Sequence, residues 1–443
     1  MLGLVPCTHS IKRQRYLYLV LDDWERGYSI YRVGEKDWSD SDGGGLDARP
    51  AESPIVRIEA KHGFELSLAE HGTKIFAMRP SGSSPGIPVF DTETLGVTMC
   101  PFPKSRGFLG AHPLVYASVN GDRLLAFVSN RLEILGPEPL PIQDNSWSWT
   151  GTGSEPPQPF ESSDVSSYAV HPDGRTIFMS LKNWSVEHSI HQRNSTFTFD
   201  TERLEWTHLG EWLLPFKGRA YYDRELDAWV GLCLFEQGAG HLCCCDVPPA
   251  AGCLTMPAWK LGKDVFFDDD SDRHSGATLV YMGDSSFCIV ERLVPRDFDS
   301  YPRSRALSIT SFLLKYNKDG ELVTAHSRAY ASISYKIARQ DLMPELDPVA
   351  FWICSFQRWA LLVAISFAGI KLEEGAVARF YVAGRGRHKR VQVASGEEGQ
   401  APLSQEFRDH LLVDQQLDSA AAFDVALSFF FDLNEHHHRQ DHA

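Results

Sequence analysis

Helical periodicity is almost absent from the first 350 residues of this chain. That excludes helix bundles, α-solenoids and doubly wound α/β folds for most of its length, because each needs apolar positions recurring every three to four residues. Basic charge is also short: 43 Lys and Arg stand against 58 Asp and Glu, a formal net charge of −15. A phosphate backbone repels such a surface unless cations gather on one face. The one dense basic run, Arg385-Gly386-Arg387-His388-Lys389-Arg390, reads as a solvated loop, so no nucleic-acid partner is expected. Met1 to Arg15 carries Lys12, Arg13 and Arg15 with no apolar stretch before them, and no signal peptide is expected. The nine cysteines are odd in number and fit no secreted disulfide framework. A reducing compartment, cytoplasmic or nuclear, follows, and the acceptor patterns at Asn183 and Asn194 are expected to stay unglycosylated.

Catalytic signatures are missing as well. There is no phosphate-binding loop, no H-E-x-x-H and no dinucleotide fingerprint. Gly82-Ser83-Ser84-Pro85-Gly86 matches a nucleophile elbow in letters, but a strand-like Ile87-Pro88-Val89-Phe90 follows where a helix is required, and Pro85 removes an amide. Counting a calcium loop from Asp268 puts Arg273 and Leu279 where Gly and Glu are needed. Cys243-Cys244-Cys245, with Cys233 and Cys253, offers no second close pair for zinc; on a strand Cys243 and Cys245 share one face and Cys244 the other, as small core residues. No catalytic residue, metal site or cofactor is expected.

What the chain does have is apolar material, 43% with 12% aromatic, and an internal repeat. Val89-Phe90-Asp91-Thr92-Glu93-Thr94-Leu95 recurs as Thr198-Phe199-Asp200-Thr201-Glu202-Arg203-Leu204, an offset of 200 − 91 = 109 residues, about twice a kelch-sized period of roughly 50. Turns at Gly72, Gly121, Gly174 and Gly283 each precede a short apolar run, with steps of 121 − 72 = 49 and 174 − 121 = 53. A turn at Glu225-Leu226-Asp227 fills the longer gap. Such turns need φ > 0, which Gly and Asn-Gly supply at little cost. The runs after them are rich in β-branched and aromatic residues and suit strands buried on both faces.

Each unit reads as four strands, the last two joined by an Asp-Thr-Glu turn. Asp91 and Asp200 are therefore expected as turn caps that accept backbone amides two residues on. The units number six, with five or seven also compatible. The first unit lacks an innermost strand. Ala329 to Ile337, around Ser332, is expected to supply it and so close the ring without an open sheet edge. The expected fold is an all-β, kelch-like β-propeller closed by a late strand.

At this point Gly72-Thr73-Lys74-Ile75-Phe76-Ala77-Met78, Val89-Phe90-Asp91-Thr92-Glu93-Thr94 and Tyr221 to Gly231 carry a resemblance. They are similar to a plant family, expanded in grasses, that bears only a domain-of-unknown-function label, the one numbered 1668 or the related 1618. The resemblance covers about residues 16 to 350 and implies kelch-like propeller relatives, with no activity to carry over. The Gly-Gly pair of true kelch repeats is missing from every unit.

Residues 1–15 read as an arm, 16–350 as the propeller, 351–370 as an apolar segment of open role and 371–443 as a poorly ordered tail. Phe351 to Ile370 has the length of a membrane span, but Arg358 argues for packing on the propeller instead. For function, an interaction scaffold for an unknown protein partner is expected. The connections between second and third strands are the candidate surface: Asp22 to Gly27, Arg79 to Gly86, Lys182 to Asn194 and Arg292 to Arg305. Trp24, Arg26, Arg79, Trp184 and Arg193 are the candidate contact residues, of types common at binding hot spots. The alternative is a small-molecule binder or enzyme that uses the central channel. It needs at least three titratable groups converging on the axis, for which His71, His171 and Asp223 are the only candidates in the sequence.

Overall fold

The computed structural model describes residues 14–34, 49–50, 53–60, 67–79, 82–104, 115–119, 123–128, 131–136, 147–153, 162–184, 193–250, 255–269, 271–294, 304–338, 347–355, 377–384 and 387–394. The chain divides into two compact units, one of Gln14–Glu138 with Ser146–Ser355, the other of Met1–Arg13, Pro139–Asn145 and Phe356–Ala443.

The larger unit is all-β and propeller-like. Among the described residues it contains six consecutive antiparallel runs of four strands. The first sheet is ordered Val349–Ser355, Gln14–Trp24, Gly27–Gly34, Val56–Glu59. The second runs Leu68–His71, Lys74–Ala77, Ile87–Asp91, Val97–Cys100, and the third Val115–Val119, Arg123–Val128, Arg131–Leu135, Trp149–Gly151. The fourth runs Val165–Val170, Thr176–Trp184, Arg193–Asp200, Glu205–Gly210. The fifth runs Phe216–Asp223, Ala228–Cys233, His241–Asp246, Trp259–Val265. The sixth runs His274–Gly283, Ser286–Leu293, Ser304–Tyr316, Leu322–Lys336, with Arg49–Pro50 added in parallel on its edge. The first strands of the fourth and fifth sheets also pair in parallel, Ser167 to Ala169 against Gly218 to Ala220.

The apolar residues sort by strand alternation into clusters that each join two sheets. Leu17, Leu19 and Leu21 pack with Val280, Val290 and Ile309 of the sixth sheet, while Tyr18, Val20 and Ile30 on the opposite face pack with Ile75 and Phe90 of the second. The second and third sheets meet through Phe76 and Leu124, the third and fourth through Phe127 and Phe199. Phe178 and Trp229 join the fourth to the fifth, and Leu232 and Phe287 join the fifth to the sixth. Full burial of each such side chain stabilises the fold by about 1.5–3 kcal/mol. Cys243 and Cys245 face the fourth sheet and Cys244 the sixth, all buried, as strand alternation requires.

The turns form as their residues dictate. Asp91 Oδ1 accepts the amides of Glu93 and Thr94 at 2.8 and 3.3 Å, and Asp200 Oδ1 those of Glu202 and Arg203 at 2.9 and 3.0 Å. The fifth sheet repeats the device: Asp223 Oδ1 accepts Glu225 and Leu226 at 3.1 and 2.9 Å. Each turn ends on a left-handed residue, Leu95, Leu204 or Asp227, at φ 56°, 58° and 48°.

Two expectations are corrected. The Ser332 region does not complete the first sheet; it belongs to the outermost long strand of the sixth, where Ile333 opposes Leu307 and also Arg49. The late strand paired with the first is Val349–Ser355, with Tyr16 opposite Ile353 and Val20 opposite Val349. Ala350 and Ile353 are buried there, so the apolar stretch beginning at Phe351 opens as a core strand. Residues 356–370 lie outside the described residues.

In the smaller unit, Val377–Gly384 pairs with Arg387–Ala394 as an antiparallel hairpin, from Val377 opposite Ala394 to Gly384 opposite Arg387. Arg387 to Arg390 occupy a strand rather than a loop, where Val391 and Val393 favour extended backbone. No helix among the described residues is long and apolar enough to cross a membrane.

Candidate functional site

All four candidate loops do join the second and third strands of their sheets, once the late strand is counted as the first strand of the first sheet. Trp24 ends its strand opposite Gly27, at the turn of the hairpin. Its ring is half-buried between two guanidinium groups, Arg26 at 5.7 Å and Arg57 at 5.9 Å from the centroid. Arg26 is 68% exposed and also pairs with Glu59 of the outermost strand. Each exposed cation–π contact of this kind contributes about 0.5–1 kcal/mol to the indole's preferred orientation. Tyr31 donates its hydroxyl to Asp23 behind this loop. One residue earlier, Asp22 lies among Arg292, Arg305 and Tyr335 of the sixth sheet, and burial raises its carboxyl above the usual range despite those partners.

Arg79 differs from these. It is 8% exposed, with Tyr116 among its charged and polar neighbours, so it sits inside rather than at the surface. Trp184 and Arg193 oppose each other across the bulged end of the second and third strands of the fourth sheet. Their side chains lie outside the described residues.

The first strands carry a different constellation. Arg219 and Glu70, 149 positions apart and on the first strands of the fifth and second sheets, form an ion pair at 2.5 Å. The Arg219 guanidinium lies 4.6 Å from the Tyr221 ring centroid, and Tyr221 is 6.0 Å from the Tyr281 ring of the sixth sheet. Burial opposes the charge on Arg219, but Tyr221, Glu70 and Tyr168 outweigh it and hold the guanidinium above its usual range. Burial also raises the Tyr168 and Tyr221 hydroxyls, which stay protonated donors. Nearby, Ser67 donates to the Tyr116 hydroxyl at 3.4 Å.

The three groups the sequence offered for the channel each have partners of their own. His71 Nδ1 lies 2.9 Å from Ser118 Oγ. Burial, and then the charge of Lys74, push His71 down to about 4, which leaves it neutral and a weak base at pH 7. His171 stacks on Phe178 at 5.9 Å and pairs with Asp173 at 3.1 Å. Asp223 is fully buried and accepts the Ser285 amide at 2.8 Å and its hydroxyl at 2.7 Å, tying the fifth sheet to the sixth. Ser84 donates to the Gly86 carbonyl at 2.7 Å within its own loop.

Sequence reading missed Glu70, Arg219, Tyr168 and Tyr221. A signal existed: Arg219, Tyr221 and Asp223 alternate along the end of a first strand, so they share one face. Nothing in the sequence pairs that face with Glu70.

Comparison with curated proteins gives no match. Among solved structures, a putative 6-phosphogluconolactonase from Bacteroides fragilis is 13% identical, with 79% of this chain and 100% of that one covered at a TM-score of 0.37. A chain of a nidogen/laminin complex is 10% identical, with 73% and 99% covered at 0.33. Hydrazine synthase from Kuenenia stuttgartiensis is 12% identical at 0.32; 59% of this chain is covered, and the chain spans 65% of its length. The family model described as protein of unknown function, DUF1668, matches residues 14–332, most of the chain, and the protein belongs to that family.

Proposed function

We propose that this protein is a non-enzymatic scaffold that binds a protein partner through the connections between second and third strands. The observation that carries the reading is Trp24, half-exposed and held between Arg26 and Arg57. Trp and Arg dominate binding hot spots because they offer large contact area at low cost in side-chain freedom. The body that presents them is, in this reading, a closed six-bladed kelch-like propeller of about residues 14–355 in the cytoplasm or nucleus. Supporting closure, the apolar clusters link each sheet to the next and the sixth back to the first. A rigid ring fixes the loops it displays. In the test, the intact chain is used as bait in an extract of the organism that encodes it, beside a Trp24→Ser/Arg57→Ala variant of unchanged urea midpoint. A protein recovered with the first and lost with the second is expected. Recovery that ignores the variant overturns the reading.

A second reading, a small-molecule site on the axis, is favoured by one observation: Glu70, Tyr168 and Tyr221, from the first strands of three sheets, gather around Arg219. It predicts a metabolite whose thermal stabilisation of the protein vanishes in Arg219→Met and persists in Trp24→Ser.

A further inference from the structure

The face of the sixth sheet that packs on the fifth changes character along its strands. Phe287 opposes Phe312, and both lie in the apolar cluster shared with Leu232 and Leu242. The next pair on that face is Ile289 and Thr310, and the next Glu291 and Ser308. Core positions thus give way to hydroxyls and a carboxylate without leaving the inter-sheet face. At that place the two sheets leave a solvent-open pocket of ≈ 290 Å³, lined among others by Asp264, Phe266, Glu291, Ser308, Thr310 and Thr324. Its volume is that of about ten water molecules, too large for a bare ion and suited to a small organic molecule.

Both carboxylates are anchored by neighbouring side chains or backbone. Asp264 Oδ2 accepts the Thr324 amide and hydroxyl, each at 2.8 Å. Glu291 Oε1 lies 3.0 Å from His274 Nδ1, and His274 in turn stacks on Phe267 at 4.5 Å with the rings 6° from parallel. These bonds use one oxygen of each carboxylate and fix the orientation of the other. Phe266 and Ile289 add an apolar wall, and the chain's net charge of −15 favours a cation in any such opening.

We propose that this cavity binds a small organic cation, an ammonium or guanidinium group on a short aliphatic stem. The charged head is placed between Asp264 and Glu291, the stem lies along Phe266 and Ile289, and the hydroxyls of Ser308 and Thr310 accept remaining donor hydrogens. Charged donors to anchored carboxylates make the strongest of the ordinary hydrogen bonds. The site is independent of Trp24 and of the axial cluster.

The test titrates agmatine, putrescine and the peptide Gly-Gly-Arg-Gly-Gly into the intact protein by calorimetry, with calcium chloride as a further probe. Saturable binding of at least one organic cation, weakening as salt rises, is expected. Glu291→Gln and Asp264→Asn should each raise the dissociation constant about tenfold. Thr310→Leu, which fills the cavity and leaves both charges, should abolish binding at an unchanged melting temperature, and Trp24→Ser should leave it intact. Binding of agmatine or putrescine but not the peptide identifies a free amine as occupant; equal or tighter peptide binding identifies a side chain presented by a partner. Absence of saturable heat from all three cations, binding of calcium alone, or binding indifferent to Thr310→Leu and Glu291→Gln overturns the proposal.

Discussion

Replacing Ile353 by Ala tests the seam of the fold. Ile353 is 3% exposed, opposes Tyr16 in the late strand and packs among Tyr18, Tyr28 and Ile30. The change removes three buried carbons, about 2.4 kcal/mol at ~0.8 kcal/mol each. The cavity left among the packed side chains of the first and second sheets adds to this, for a total of about 2–5 kcal/mol. Against a typical stability of about 5–15 kcal/mol, that is a large fraction. Ile353→Val should cost only about 0.5–1.5 kcal/mol. Met99→Ala, at a side chain 45% exposed, should stay within about 0.5 kcal/mol of the wild type. Urea unfolding supplies the three values. Hydrogen exchange supplies a second readout, since amides of Gln14–Trp24 should lose protection in Ile353→Ala before those of the third or fourth sheet. If Ile353→Ala behaves like Met99→Ala, and exchange in the first sheet is unaltered, the late strand does not hold the first sheet and the reasoning fails.

The link between the fifth and sixth sheets should be as sensitive. Asp223→Ala strands the donors of Glu225, Leu226 and Ser285 and should cost about 3–5 kcal/mol; Ser285→Ala should cost about 1 kcal/mol, and a double-mutant cycle should show clear coupling. Acid should destabilise the protein through His71. Its folded value of about 4 lies below the ordinary 6.5, so the unfolded chain binds the extra proton between those values. Stability should therefore fall as pH drops from 6.5 towards 4, by up to about 3 kcal/mol, and flatten below; His71→Gln should remove that slope from unfolding curves. Between the first strands of the second and fifth sheets, Glu70→Gln or Arg219→Met alone should cost about 1–3 kcal/mol by leaving a half-buried charge without its partner, whereas the double variant should cost less than the sum, measured by urea midpoints.

Local chemistry was legible in the residues. Asp91 and Asp200 cap their turns because an Asp side chain reaches amides two and three residues on whatever surrounds it. The second strands after Gly72, Gly174 and Gly283 follow from turn glycines and doubly buried apolar runs, both properties of a few adjacent residues. The same holds for the faces of Cys243, Cys244 and Cys245, which strand alternation alone assigns.

Partners far apart in the chain were another matter. Two late segments, around Ser332 and from Val349, both alternate or run apolar, and nothing local says which of them meets Gln14–Trp24; register across more than 300 residues is set by which edge is free once the sixth sheet has formed. Arg79 reads as an exposed loop residue, yet it is buried just past the end of Lys74–Ala77. Glu70 and Arg219 are unremarkable in sequence and meet only because first strands converge. The sequence by itself determined the strands, their turns and the faces they bury, since those depend on neighbours two to four residues away. Only the tertiary structure decided which late strand pairs with Gln14–Trp24, the Glu70–Arg219 ion pair and the polar pocket between the last two sheets, since each is an encounter between surfaces that chain order leaves unspecified.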